Sequence, residues 1–284
     1  MTKPAKVFQR AREAFREQLT KRLEAAEPLV PENVEAVEQQ LMADEVVVAS
    51  KALKKVGPSP HAPGTPYFVR QTGTTCMSVS LANGLISLGE PCLLEDPENR
   101  VSLLADDVVA STSSFGKPGE YRSVDDLFKY LESGRLKELE LAGKRLAHDY
   151  RVRLTCSLID VCEALWTGRG RLVVQRRAHA RLAFAIDRKD GKALVRVRDP
   201  MSASSTKFDH VDLTTLRTEF LWSPLKKLPR ILGPMGLPKL TAKEALGHLD
   251  RYDTMENLGV DCPSALVYRA EHAPRLFSPP EKAS

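Results

Sequence analysis

Three residues far apart in the chain, Cys76, His179 and Asp199, each stand in the local setting that thiol chemistry needs. Cys76 ends a polar turn, Gln71 to Thr75, that contains Gly73 and runs straight into apolar residues at helical spacing: Val79, Leu81, Ala82, Leu85, Ile86 and Leu88, before Gly89 and Pro91. That pattern predicts a helix start at the cysteine, with Thr74 or Thr75 as N-cap. The unpaired N–H groups and positive end of a helix favour the thiolate, the attacking species. Gln71 lies five positions earlier, where its amide could join the Cys76 N–H in an oxyanion hole. Such a donor is worth roughly 3–4 kcal/mol of barrier.

His179 and Asp199 belong to a second segment. Residues 170–187 read as two strands with His179 opening the second, Asp190 and Gly191 form a tight hairpin, and residues 193–198 alternate as a half-buried strand that ends at Asp199 and Pro200. Antiparallel pairing would bring His179 and Asp199 to the same end of a sheet. There a carboxylate orients an imidazole that serves as general base and acid.

These segments resemble the papain-like cysteine peptidases, especially the bacteriocin-processing peptidase branch, over roughly residues 65–225. The resemblance rests on a Gln shortly before a Cys that opens a helix, then a helix, a strand, a His-initiated strand, a hairpin and an Asp-Pro ending. It implies an α+β fold in which the Cys helix packs against an antiparallel sheet. It also implies Cys76 as nucleophile, His179 as base, Asp199 as orienting residue and Gln71 as oxyanion donor, with no cofactor and no metal. Related branches include deamidases, transglutaminase-like enzymes and bacterial effectors. Three readings follow: a hydrolase of peptide, isopeptide or carboxamide bonds, a glutamine deamidase or transglutaminase-like effector, and an inactive binding module. Met77, where the family has Gly, speaks for the last.

Each residue also has a plain structural reading. A cysteine in an apolar helix is commonly a small core residue, and an Asp before Pro commonly forms a turn. The other cysteines, Cys92, Cys156, Cys162 and Cys262, form no Cys-x-x-Cys pair, which argues against a structural zinc site. His61 in a Pro-rich loop and His210 are weaker candidates for the base.

The elements around these residues divide the chain into a helical N-terminal part, 1–57, a catalytic domain, 65–225, and a C-terminal extension, 226–284, partly helical with a polar end. Residues 6–56 read as helical, interrupted at Pro28 and Pro31, with one helix from Glu32 to about Met42 and a further apolar stretch from Asp44. Ser123 and Ser157 cap helices ending near Gly134 and at Trp166. Val211 to Trp222 has helical spacing, and Thr241 with Glu244 forms a capping box. The linker 57–66 is rich in Pro and Gly.

A net charge of +5, from 42 basic and 37 acidic residues, and a 6% aromatic content do not make a nucleic-acid surface. Arg169, Arg171, Arg176, Arg177, Arg181 and Arg188 gather near the His segment. They would either make a positive cleft rim suited to an acidic protein substrate or simply cover a sheet face. No apolar run reaches the roughly 18–20 residues of a membrane span, and no signal peptide is apparent. The expectation is a reduced, cytoplasmic chain as synthesised, with a protein or peptide substrate. Export by a system that reads no cleavable signal stays open, and the oligomeric state is not legible.

Overall fold

The apolar residues of this chain bury themselves on both faces of one antiparallel sheet. The computed structural model describes residues 3–61, 67–73, 75–112, 124–154, 157–176, 179–221, 239–253 and 264–272. Helices α1 (Lys3–Ala25) and α2 (Pro31–Val56) come first, then α3 (Cys76–Ser87), α4 (Pro91–Glu95), α5 (Pro97–Thr112), α6 (Val124–Glu132) and α7 (Arg135–Glu138). A two-stranded ribbon, β1 (Glu140–Leu141) and β2 (Lys144–Arg145), leads to β3 (Tyr150–Leu154) and α8 (Leu158–Trp166). Strands β4 (Gly170–Arg176), β5 (His179–Lys189), β6 (Lys192–Arg198) and β7 (Asp209–Asp212) follow. The short α9 (Leu213–Thr215), a π-helical turn at Leu216–Phe220, α10 (Ala242–Asp253) and β8 (Ser264–Arg269) complete the order.

The six-stranded sheet runs β3-β8-β4-β5-β6-β7, and every pair is antiparallel. Helices α3, α5 and α6 cover one face with a core that includes Leu81, Leu85, Leu104, Leu182 and Phe184. Helices α8, α2 and α1 cover the other, around Phe8, Leu53, Leu165, Val195 and Leu216. A third cluster, including Leu23, Leu29, Leu41 and Leu240, ties α1 and α2 to α10.

Local chemistry explains the ends of several elements. The Ser157 side chain accepts from Asp160 N at 3.2 Å and so caps α8. Thr241 and Glu244 bond reciprocally, Glu244 N to Thr241 Oγ1 at 3.2 Å and Thr241 N to Glu244 Oε2 at 2.8 Å, the expected capping box. Asp190 (φ 51°) and Gly191 (φ 74°) close the β5–β6 hairpin in left-handed conformations.

Other expectations need correction. The helix expected from Glu32 to Met42 runs unbroken to Val56, because Asp44 and Glu45 find partners outside it: Arg22 for the first, Arg217 and Leu158 N for the second. The helix expected from Val211 starts later: residues 209–212 form the edge strand β7, and Asp212 then caps α9 by accepting from Thr215 N at 2.7 Å. A boundary after residue 225 would divide the sheet. Strand β8 lies inside it, between β3 and β4, with Leu266 paired to both Arg153 and Leu172. The N-terminal helices likewise share their core with α8 and the sheet rather than standing apart.

Candidate active site

The strongest contact among the candidate residues joins His179 to Asp199. His179 is the first residue of β5, and Asp199 directly follows β6. Their strands pair through Leu182 and Arg198, so both residues fall at the same end of the sheet. His179 Nε2 lies 2.8 Å from Asp199 Oδ1. A carboxylate only accepts, so Nε2 is the donor of this bond and Nδ1 is the ring nitrogen free to face another partner. The other carboxylate oxygen faces Arg181 Nε at 3.3 Å, and Oδ1 also accepts from Met201 N at 2.9 Å. Burial pushes the Asp199 carboxyl up, but the Met201 N–H, His179 and Arg181 outweigh it and hold the group below the usual carboxylate range.

The segment before Cys76 is stitched to the same corner. Gln71 N donates to Pro200 O at 2.9 Å, and Phe68 N donates to Ser205 O at 3.0 Å, so residues 68–71 run beside the chain that follows Asp199. Asn83, buried on α3, holds Val69 from the other side, accepting from its N–H and donating to its carbonyl at 2.9 Å each. The Gln71 side chain donates to Gly73 O at 2.9 Å, while its Oε1 is buried without a partner. One amide proton expected for an oxyanion hole is therefore spent on the turn itself.

Cys76 is the first residue of α3, as its sequence context predicts, and is partly buried against the core. Thr75 is the N-cap residue but makes no side-chain cap; its hydroxyl donates back to Thr72 O at 2.7 Å. Thr74 lies outside the described residues. The Met77 side chain, 2% exposed, goes into the core beneath α3 rather than into a cleft.

The direction of α3 follows from two anchors. Arg171 on β4 donates from Nε to Ser87 Oγ at 2.8 Å and from Nη2 to Ser87 O at 2.7 Å. A Cβ at Gly84 would lie 3.3 Å from Leu182 Cδ1 on β5, so the helix sits against the strand closely enough that a larger residue would push that leucine aside. From Ser87 back to Cys76 the helix rises about 16 Å. From Arg171 to Arg176, the partner of His179, β4 rises about 17 Å. The start of α3 and the start of β5 thus share one end of the sheet.

They do not share a face. Ala180 and Leu182 belong to the core under α3, whereas Ala183 and Val197 belong to the core under α8. Strand alternation then sets His179, Arg181 and Asp199 on the α8 side. No hydrogen bond links Cys76 to His179 among the described residues. Of the four expected residues, the structure joins His179 to Asp199 and fastens the Gln71 backbone beside them, and it sets Cys76 at the first position of α3.

A second His–Asp pair shows how much such a contact means alone. His210 Nε2 lies 2.8 Å from Asp187 Oδ2, and Arg196 Nε shares that oxygen at 2.6 Å. No cysteine occurs in β5, β6 or β7, so this pair is a hydrogen-bonded staple of the sheet. His61 packs against Gly168, at the end of β4 remote from His179. The arginine group disperses: Arg171 is buried on Ser87, Arg181 faces Asp199, Arg188 lies near the hairpin, and Arg177 lies outside the described residues.

Sequence reasoning missed Arg181 as the second partner of Asp199 and Asn83 as the clamp on residue 69. The first was legible in principle, because Arg181 is two residues from His179 and so on its face. Cys92, Cys76 and Cys162 are free thiols, and burial raises the thiols of Cys92 and Cys162, which makes them inert. Among the described residues no group of His, Cys, Asp and Glu side chains could hold a metal ion, and no helix is long and apolar enough to cross a membrane. No family model, curated protein or solved structure matches the chain.

Proposed function

We propose that the chain is a cysteine-dependent hydrolase of peptide, isopeptide or carboxamide bonds in a protein substrate, working through Cys76, His179 and Asp199. The observation that carries this reading is the His179–Asp199 hydrogen bond at 2.8 Å, at the end of the sheet where α3 begins with Cys76. In this reading Asp199 keeps the proton on Nε2, and Nδ1 takes the Cys76 proton. The thiolate adds to the carbonyl carbon and the C=O bond becomes an oxyanion, met by backbone N–H groups at the start of α3 and by the remaining Gln71 amide proton. The C–N bond then breaks, His179 protonates the leaving amine, and water, deprotonated by His179, releases the acyl group from sulfur. Hydrolysis of a glutamine carboxamide follows the same steps, so a deamidase uses the same residues. The papain-like α+β arrangement belongs to this proposal, with helix on sheet as its structural support.

One observation favours a second reading, an inactive module of the same fold that only binds its partner: the core under α3 is met on β5 by Ala180 and Leu182, positions that alternate with His179. The pH dependence of Cys76 alkylation by iodoacetamide, read by peptide mass spectrometry in wild type and His179→Ala, separates them. Rapid labelling of Cys76 near about pH 6.5 that is lost in the variant supports the hydrolase. Slow labelling that rises only above about pH 8 and ignores His179 overturns it.

A further inference from the structure

At the other end of β5, far from His179, four cationic residues line one groove. Lys51 and Lys54 reach it from the last turns of α2, and Arg188 and Lys192 from the two sides of the β5–β6 hairpin. The groove has a volume of about 310 Å³, and its lining includes the apolar residues Val46, Ala193 and Leu213. Ser50 and Thr214 add hydroxyl groups to its wall. All four cations are exposed, and none has a carboxylate partner among the described residues. The one acidic residue lining the groove, Asp212, has turned its carboxylate to the start of α9, where it accepts from Thr215 N.

Several surface cations elsewhere do have carboxylate partners: Lys21 with Glu17, Arg22 with Asp44, Arg135 with Asp107 and Lys144 with Glu95. Four like charges lining one groove repel one another, Asp212 opposes them with a single charge, and a bound anion relieves the rest of that repulsion. A concave pocket of this size matches a small ligand, whereas a nucleic acid or a bilayer needs a broad face. Lysine supplies point charges and arginine a planar fork, the usual partners of phosphate.

We propose that this groove is a binding site for clustered phosphate groups, carried either by a small free polyanion or by a phosphorylated lipid headgroup. Phosphates bridge α2 to the hairpin, with Ser50 and Thr214 donating to their oxygens. The β5 strand joins this site to His179 about 30 Å away, so its ligand does not enter the candidate active site. The proposal does not depend on the chemistry assigned to Cys76.

Calorimetric titration of the full chain with sodium tripolyphosphate, against sulfate at equal ionic strength, tests it. The expected result is saturable tripolyphosphate binding that weakens by about tenfold or more in Lys51→Gln/Lys192→Gln. Removal of two exposed lysines elsewhere, Lys137→Gln/Lys243→Gln, should leave it unchanged. All four are surface positions, and unchanged melting temperatures verify that both variants fold. A parallel flotation assay uses phosphatidylcholine vesicles containing either phosphatidylserine or a bisphosphorylated inositol lipid at matched charge. Preference for the inositol lipid, lost in the groove variant, assigns the lipid headgroup as the source. Preference for free tripolyphosphate assigns a soluble one. Sulfate binding as well as tripolyphosphate, equal losses in both variants, or no binding to any probe overturns the proposal.

Discussion

Asp199 faces His179 with one carboxylate oxygen and leaves the other toward Arg181, so the orienting residue of the candidate site is itself held from a second side. Its carboxyl is held below the ordinary range, so its contribution to stability is present above the unfolded-state value near about 3.9 and is lost as pH falls through the lower folded value. We expect Asp199→Asn to melt below wild type at neutral pH and the gap to narrow in acid, below about pH 4. Melting temperature followed from pH 7 to pH 2.5 for both proteins checks this; a gap that widens in acid would contradict it.

The buried pair of Glu45 and Arg217 should matter more to folding than any surface ion pair. Glu45 is 1% exposed, and its second oxygen accepts from Leu158 N at 2.7 Å, so one carboxylate ties α2 to α8 and to the π-helical turn. Glu45→Ala leaves a guanidinium buried without its partner and should cost about 3–5 kcal/mol in urea denaturation. Adding Arg217→Met should recover part of that loss, because it removes the guanidinium that Glu45 had balanced.

Gly168 tests a different kind of constraint. Its φ is +68°, and a Cβ there would lie 2.7 Å from the His61 Cβ. Gly168→Ala should therefore destabilise by about 1–2 kcal/mol through the backbone alone, and more through the contact. Gly191→Ala, with φ +74° but open space around it, isolates the backbone share. Chemical denaturation of the two variants should rank Gly168→Ala as the worse.

Residues 65–225 expressed alone should not fold, since β3 and β4 have no strand between them without β8. Within the full chain, Leu266→Ala should cost about 2–5 kcal/mol, because that side chain is 0% exposed. Circular dichroism and urea titration measure both; a cooperative transition from the fragment would refute the first expectation.

What the sequence discloses follows the reach of local chemistry. The hairpin at Asp190, the caps at Ser157 and Thr241, and the start of α3 at Cys76 all depend on neighbours within a few residues. Strand β8 depends on partners far away, and its short apolar run carries no periodicity that tells a buried strand from a tail. The helix α5 is not legible for a related reason: it begins at a proline among charges, and its apolar positions gain meaning only against α3, α4 and α6. The candidate site divides the same way. Strand pairing brings His179 and Asp199 together as the hairpin implies, but which face they take depends on where the sheet buries Ala180 and Leu182.

The position of β8 also bears on how the chain is made. Strands β3 and β4 leave the ribosome long before their common neighbour, so during synthesis each presents an open hydrogen-bonding edge flanked by apolar side chains. Such edges are templates for pairing with other chains. The nascent protein is therefore most exposed to aggregation after β7 is made and before β8 arrives, and a holding chaperone would raise its yield by covering that interval.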